Sequence, residues 1–392
     1  MKKINACPAC HQSSLIDFYS VDDVPIQQNT PKATITSALE TPLGNIQLAY
    51  CESCGFITNR AFDPTVPIYG ADYNNNQTYS NIFSDYVQSI IQFMNERYHL
   101  KEKHVIEIGS GDGSFLEALY KSSNIYGIGF DPSYTGEETL YNERLKFVRD
   151  YYGQNYSDSS ADLIIARHLI EHIHDLENLM LGMKNAIGNR NSSLFFETPD
   201  VLWILKNVTF WDIFYEHCSL FSHGSIARLF SSYGFNVESV KSAFNEQYMW
   251  LDASSGHTNV TYPSDLDTIE KIARLAEIFK KSAPEKIQKL QEQLADWRRV
   301  GKRVAVWGAG AKGVTFLNTL KPDLDNLPCV VDINHEKQGH FIPGTGQEII
   351  SPELLSQYGI DVIYIMNPNY QDEILTLLSS LHLESVQTIV IE

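Results

Sequence analysis

The chain has 392 residues and an apolar fraction of 43%, enough for two or three domains with ordinary cores. A formal net charge of −18 excludes a general binder of nucleic acid or membrane surfaces, which needs a positive face; a small anion needs only a local basic patch. No apolar run reaches the roughly 18 residues of a membrane span, and the opening MKKINACPACHQS lacks the apolar stretch of a secretory signal. A cytoplasmic protein is therefore expected, a monomer or homodimer acting on a small molecule.

Residues 1–65 form the first expected domain. Cys7-Pro-Ala-Cys10 and Cys51-Glu-Ser-Cys54 are two C-x-x-C knuckles about 40 residues apart, and they use four of the six cysteines. Each knuckle turns both sulfurs toward one point, so Cys7, Cys10, Cys51 and Cys54 suit one tetrahedral Zn2+. Four thiolates leave no open position, which makes the ion structural. A redox C-x-x-C explains one pair and not two. The insert, with Ile46, Leu48 and Tyr50 alternating, is expected to form short strands.

An aromatic connector follows, with Tyr69, Tyr73, Tyr79 and Tyr86 among Asn74, Asn75, Asn76 and Gln77. It reads as a loop, either solvated or framing a polar ligand. A helix is expected over 81–99, with Phe83, Tyr86, Val87, Ile90, Ile91 and Met94 on one face.

Residues 66–255 make the second expected domain, built around 103–131. An apolar strand enters Gly109-Ser110-Gly111-Asp112-Gly113, a helical pattern follows, and a second apolar run ends at Asp131. The glycines permit a sharp turn and close approach of a ligand, and the helix start offers free N–H groups. The spacing, Glu107-x-G-x-G-x-G, is not the dinucleotide fingerprint G-x-G-x-x-G. It resembles the first motif of class I S-adenosylmethionine (SAM) methyltransferases; a plain strand–helix turn without ligand is the alternative. Strands expected at 104–108, 125–130, 145–148, 162–166, 193–197 and 236–240 alternate with helices, which implies a mostly parallel, doubly wound α/β sheet. Ligands bind at the carboxyl ends of such strands. The SAM contacts expected there are Glu107, Gly109, Ser110, Gly111, Asp131, Asp150, Tyr151, Arg167 and His168, with Gln77 from the connector. His168, Glu171 and His172 match the H-x-x-E-H of one zinc-protease class, but the motif opens from a strand end, and pocket lining or helix capping is the plainer reading.

Downstream lies Tyr215-Glu216-His217 in an aromatic stretch. An imidazole with a carboxylate neighbour can act as a general base; a buried histidine satisfied by the backbone is the alternative. Residues 256–392 form the third expected domain. A charged helix over 262–300, interrupted near Pro284, leads to a second strand–turn–helix unit, Gly308-Ala-Gly-Ala-Lys312-Gly313, with Asp332 ending the next strand. This turn does fit G-x-G-x-x-G. It suits NAD, or the diphosphate of another nucleotide with Lys312 as counter-charge. A further strand over 361–365 ends at Asn367.

The order of these parts resembles the bacterial sugar C-methyltransferases of deoxysugar biosynthesis. The matching motifs are the two knuckles, Glu107 to Gly113, Tyr215-Glu216-His217, Gly308 to Gly313, and Val331-Asp332-x-Asn334-x-x-Lys337-Gln338-Gly339. The resemblance spans nearly the whole chain. It implies a class I methyltransferase sheet with an N-terminal four-cysteine zinc module and a C-terminal Rossmann-like domain. It also implies SAM on the middle domain and a nucleotide-linked 4-keto-deoxysugar between the two halves. His217 would then remove the proton beside the ketone, with Glu216 orienting it and Tyr215 at the enolate oxygen. Tyr73, Tyr79, Lys312, Asp332 and Asn367 would contact the acceptor. The chain departs from the family pattern at Gly111, where Asn is usual, at Phe214-Tyr215, where Tyr-His is usual, and in the N-N-N-Q connector.

Overall fold

A computed structural model describes residues 4–67, 70, 73–156, 160–255, 263 and 266–391. Tyr69 of the connector and the start of the expected long helix at 262, 264 and 265 lie outside these residues. Three sheets carry the architecture.

The N-terminal sheet holds β1 (Leu15–Pro25), β2 (Leu43–Cys51) and β3 (Ile57–Asn59), all antiparallel, with a short helix α1 (Ile35–Leu39) before β2. The expected short strands are thus present, folded over the cysteine knuckles. The fourth strand of this sheet, β10 (Ser219–Leu220), comes from far downstream, and pairs Ser219 with Thr58 and Leu220 with Ile57.

The central sheet begins after α2 (Asn81–Tyr98), which Ser80 caps and whose buried face is Phe83, Ile90, Ile91 and Met94. Its chain order is β4 (His104–Ile108), α3 (Ser114–Ser123), β5 (Tyr126–Phe130), β6 (Thr139–Leu140), β7 (Leu145–Val148), β8 (Leu163–Arg167), α4 (Leu176–Ile187), β9 (Ser193–Pro199), α5 (Val201–Asn207), then β10, α6 (His223–Ser232), β11 (Phe235–Ala243) and β12 (Tyr248–Ser255). The spatial order is β11-β12-β9-β8-β4-β5-β7-β6. Strands β7, β5, β4, β8 and β9 are parallel, and the strand order reverses beside β4. That reversal opens a crevice at the carboxyl ends of β4 and β8. This is the doubly wound sheet expected from the sequence. All six expected strands are present. The antiparallel strand β12, inserted between β9 and β11, was not among them.

The long helix α7 (Ile269–Arg299) passes unbroken through Pro284, contrary to the expected interruption. A mid-helix proline costs about 3 kcal/mol. Packing offsets this: Ile272, Leu275, Ala276, Phe279 and Ala283 are buried at helical spacing, and Phe279 meets Tyr19 edge-on at 5.1 Å. A fully parallel sheet follows, ordered β15-β14-β13-β16-β17. It comprises β13 (Val304–Trp307), α8 (Ala311–Leu320), β14 (Cys329–Val331), β15 (Glu348–Ile350), α9 (Leu355–Tyr358), β16 (Val362–Ile365), α10 (Gln371–Ser380) and β17 (Gln387–Val390). One continuous core joins Ile46 and Leu48 of the N-terminal sheet, Phe210 and Trp211 of the centre, Phe279 of α7, and Val306 and Phe316 of the last sheet. Each such side chain contributes about 1.5–3 kcal/mol on burial, so the parts are fixed against one another and the space between them has a defined shape.

Candidate active site

Two strand–turn–helix units bring the polar groups forward. In the first, β4 enters the turn at 109–113 and leaves through Gly113 at φ +80°, where a Cβ would meet Phe147 at 2.7 Å. Asp131, just past β5, accepts from Gly111 N–H at 2.8 Å through Oδ2 and from Ser133 N–H at 2.8 Å through Oδ1. In the second, Gly313 packs so closely that a Cβ would lie 2.0 Å from the Gly308 carbonyl. Asp332, just past β14, accepts from Ala309 N–H through Oδ2 and from Asn334 N–H through Oδ1, both at 2.8 Å. The start of α8 has no side-chain cap and keeps free N–H groups, whereas at α3 Asp112 Oδ1 accepts from Ser114 N–H at 3.0 Å.

The first unit leaves buried polar atoms unsatisfied. Glu107 Oε2 and Ser110 Oγ are buried without a hydrogen-bond partner. Burial pushes the Glu107 carboxyl up to about 8, against the pull of Arg167. Leu169 lies over Gly109, where a Cβ would clash at 2.9 Å, whereas the space at Gly111 is open. A buried acid, an idle hydroxyl, an open turn and the Asp131 carboxylate fit a ligand with an ammonium and ribose hydroxyls, and so fit SAM. Asp150 flanks this region, held by Tyr156 Oη at 2.7 Å, and Tyr151 stands exposed beside it. Arg167 donates to the buried Glu197 at 2.7 Å, which also accepts from Tyr86 Oη. Arg167 is thus committed to the rim's own network.

Against the second unit lies a cleft of about 1470 Å³, open solvent included. One wall carries Tyr73, Gln77, His168, Glu171, His172, Phe214, His217 and Gln247; the other carries Trp307, Gly308, Gly310, Lys312, Asp332, Lys337, Asn367 and Tyr370. His168 turns off the end of β8 at φ +49°, a left-handed conformation that histidine adopts more readily than bulkier residues. His217 is 8% exposed and stacks edge-on against His172 at 4.7 Å and Phe214 at 4.6 Å. Burial first, and the His172 charge second, lower its pKa to about 3, with Glu171 opposing. The imidazole is therefore held neutral. Burial raises Glu171, but the His168 hydrogen bond and the surrounding histidines outweigh it and lower the carboxyl to about 2.

Several sequence-chosen residues stand elsewhere. Tyr215 does not reach the cleft: it is fully buried, its hydroxyl accepts from Asp63 N–H at 3.0 Å, and it packs on Phe62. Glu216 faces Gln28 N–H at 3.3 Å and His172 Nδ1 at 3.7 Å, so the carboxylate beside His217 is Glu171. Both residues clamp the His217 segment onto the N-terminal domain, where Asn59 N–H and Thr58 Oγ1 of the sheet also donate to Cys218 O. Lys312 is bound by Asp212 at 2.7 Å and donates to Gln247 at 3.2 Å, so its charge is already neutralised. Asn367 accepts from Gln247 at 2.9 Å. Gln77 accepts from Tyr370 Oη, in the turn after β16, at 3.3 Å, and does not stand at the first turn. Tyr79 meets His335 edge-on at 5.2 Å. Glu171 and His172 were legible as an oddly polar strand end, but nothing in the sequence paired them with His217. Glu171, His172 and His217 also bring their ligand atoms within 4.8 Å of one another, as a metal site would.

The four knuckle cysteines gather at one point. Cys7 Sγ lies 3.7 Å from Cys54 Sγ, and Cys10 Sγ lies 3.6 Å from Cys51 Sγ. Sulfurs at the corners of a tetrahedron with Zn–S of about 2.3 Å stand about 3.8 Å apart. The donor set and the spacing both fit zinc.

Comparison with known proteins places this geometry in a class. The family described as methyltransferase domain matches residues 79–240, and the C-methyltransferase C-terminal domain matches residues 265–391. The chain is a SAM-dependent C-methyltransferase, with the second glycine turn inside the C-terminal domain of that class. It is similar along nearly its whole length to the C-methyltransferase NovU of Streptomyces niveus, at 25% identity over 402 positions, covering 96% of this chain and 92% of that protein. Among solved structures it is similar to the 1,6-didemethyltoxoflavin-N1-methyltransferase of Burkholderia thailandensis, at 11% identity and TM-score 0.35, over 45% of this chain and 82% of that one. The cyclopropane synthase MmaA2 of Mycobacterium tuberculosis is matched at 13% identity and TM-score 0.34, over 46% and 71%. Among the described residues no helix is long and apolar enough to cross a membrane.

Proposed function

We propose that the acceptor is a nucleotide-linked 4-keto-deoxysugar and that His217 is the base that prepares it for C-methylation. The observation that carries this reading is His217 in the wall of a cleft lined by the second glycine turn, with the Glu171 carboxylate beside it. A C–H bond beside a ketone is acidic because the carbanion delocalises onto oxygen. His217 takes that proton, and the C–H electron pair becomes the enolate. Glu171 stabilises the imidazolium that results. Bound at the first turn, SAM supplies an electrophilic methyl group. The chain's part is to hold the enolate carbon between His217 and the rim of β4, with water displaced from the cleft. Tyr215 and Glu216 serve as positioning residues, since they tie the segment to Asp63 and Gln28 of the N-terminal domain and to His172.

In this reading residues 1–65 are a zinc module, 66–255 bind SAM, and 256–392 take the nucleotide end of the acceptor. Nucleotide-linked sugars are cytoplasmic metabolites, so the enzyme works in that compartment. His217→Asn should lower kcat by about 10²- to 10⁴-fold while binding of S-adenosylhomocysteine stays unchanged. It should also abolish exchange of the acceptor's α-proton in deuterium oxide. Full exchange in that variant would remove His217 as the base, and a product NMR spectrum with an O- or N-methyl signal would remove the keto-sugar chemistry. Metal analysis should find one zinc per chain, and chelation should lower both Tm and kcat, because β3 holds β10 two residues past His217. A second metal equivalent lost with His217→Asn would make Glu171, His172 and His217 a metal centre instead.

A further inference from the structure

Lys337 sits in the turn that follows Asp332, its backbone fixed by a hydrogen bond to Asn334 O at 3.0 Å. The side chain is 5% exposed and lines the cleft. Among the described residues its ammonium has no hydrogen bond and no ion pair within 4 Å. Burial lowers its pKa, and only the more distant charges of Asp332 and Glu336 oppose that. A buried lysine with no partner is costly unless a ligand supplies one. The other lysine in the cleft, Lys312, is committed to Asp212 at 2.7 Å. The uncapped start of α8, through Gly310 and Ala311, lines the same cleft and adds free N–H groups with a partial positive charge. Both oxygens of Asp332 are occupied by backbone N–H groups, which reduces its opposition to an anion.

We infer that Lys337 and the first turn of α8 form the oxyanion seat of the cleft, and that it takes the diphosphate of the acceptor. Lys312, the counter-charge expected from the sequence, instead ties α8 to the central domain. This inference rests on the nucleotide-linked reading above, but it can fail separately.

The test is titration calorimetry on the full zinc-loaded chain with thymidine diphosphate, uridine diphosphate, inorganic pyrophosphate and thymidine, using S-adenosylhomocysteine to report folding. Lys337→Met and Lys337→Gln should weaken binding of the nucleoside diphosphates by about tenfold to a hundredfold, the loss of one charged hydrogen bond. S-adenosylhomocysteine should bind as before. Wild-type affinity for the diphosphates in both variants would overturn the seat and leave the nucleotide reading standing. Pyrophosphate binding that depends on Lys337, with no gain from a nucleoside, would keep the seat and discard the nucleotide. No binding of any phosphate by the wild type would overturn both. A pyrophosphate soak of wild-type crystals needs no variant: density beside Lys337 and α8 supports the seat, and density only elsewhere overturns it.

Discussion

In the first glycine turn Asp131 accepts from Gly111 and Ser133, and in the second Asp332 accepts from Ala309 and Asn334, each at 2.8 Å. The backbone device is the same: a strand-end carboxylate holds its turn and its own loop together. The surroundings differ. The first turn leaves Glu107 and Ser110 with unsatisfied atoms and carries no lysine. The second is pinned to the neighbouring domain through Lys312 and Asp212 and keeps Lys337 for the cleft. The turn therefore sets where a ligand can approach, and the side chains around it set which ligand is held.

The largest effect expected from breaking this contrast is on stability. Lys312→Met leaves Asp212, already raised in pKa by burial, without its cation. A loss of about 3 kcal/mol is expected, measured by denaturant unfolding. Adding Asp212→Asn should recover most of it, and no recovery would mean that the pair does not carry the loss. Next in size is a crossed pair of glycine substitutions. Gly113→Ala, strained at φ +80°, should weaken S-adenosylhomocysteine by about tenfold and leave nucleoside diphosphate binding alone. Gly313→Ala should do the reverse. Two variants with the same ligand profile would erase the division of labour between the turns. The smallest effect concerns pH. Because burial lowers His217 to about 3, the base proposed for the reaction stays neutral as pH falls, and the acid limb should move downward. Free-enzyme kcat/KM should change by less than about twofold from this group between about pH 8 and pH 5. An ordinary imidazole, near about 6.5, would lose about tenfold at pH 5.5.

Much of the fold was legible because its causes are local. Apolar runs of four or five residues, glycine turns and strand-end acids mark the parallel strands of the central sheet and β13, β14 and β16 of the last one, but not β15 and β17. Strand β12 was missed because its place depends on antiparallel pairing with β9 and β11, not on its own pattern. The break expected at Pro284 follows from proline's local cost, which packing of Phe279 and Ala283 overrides.

The site divides in the same way. Two knuckles, two turns and one histidine were chosen from residue type and spacing alone, because short-range geometry decides what a C-x-x-C or a glycine turn can do. Partnership was decided only by the tertiary structure. Tyr215 is spent on Asp63, Glu216 on Gln28, and Lys312 on Asp212, while Glu171 comes beside His217 and Lys337 is left to the cleft. These pairings join residues some 45 to 190 positions apart. A charged or polar group's role depends on what reaches it within about 3 Å, and the order of residues along the chain does not contain that distance.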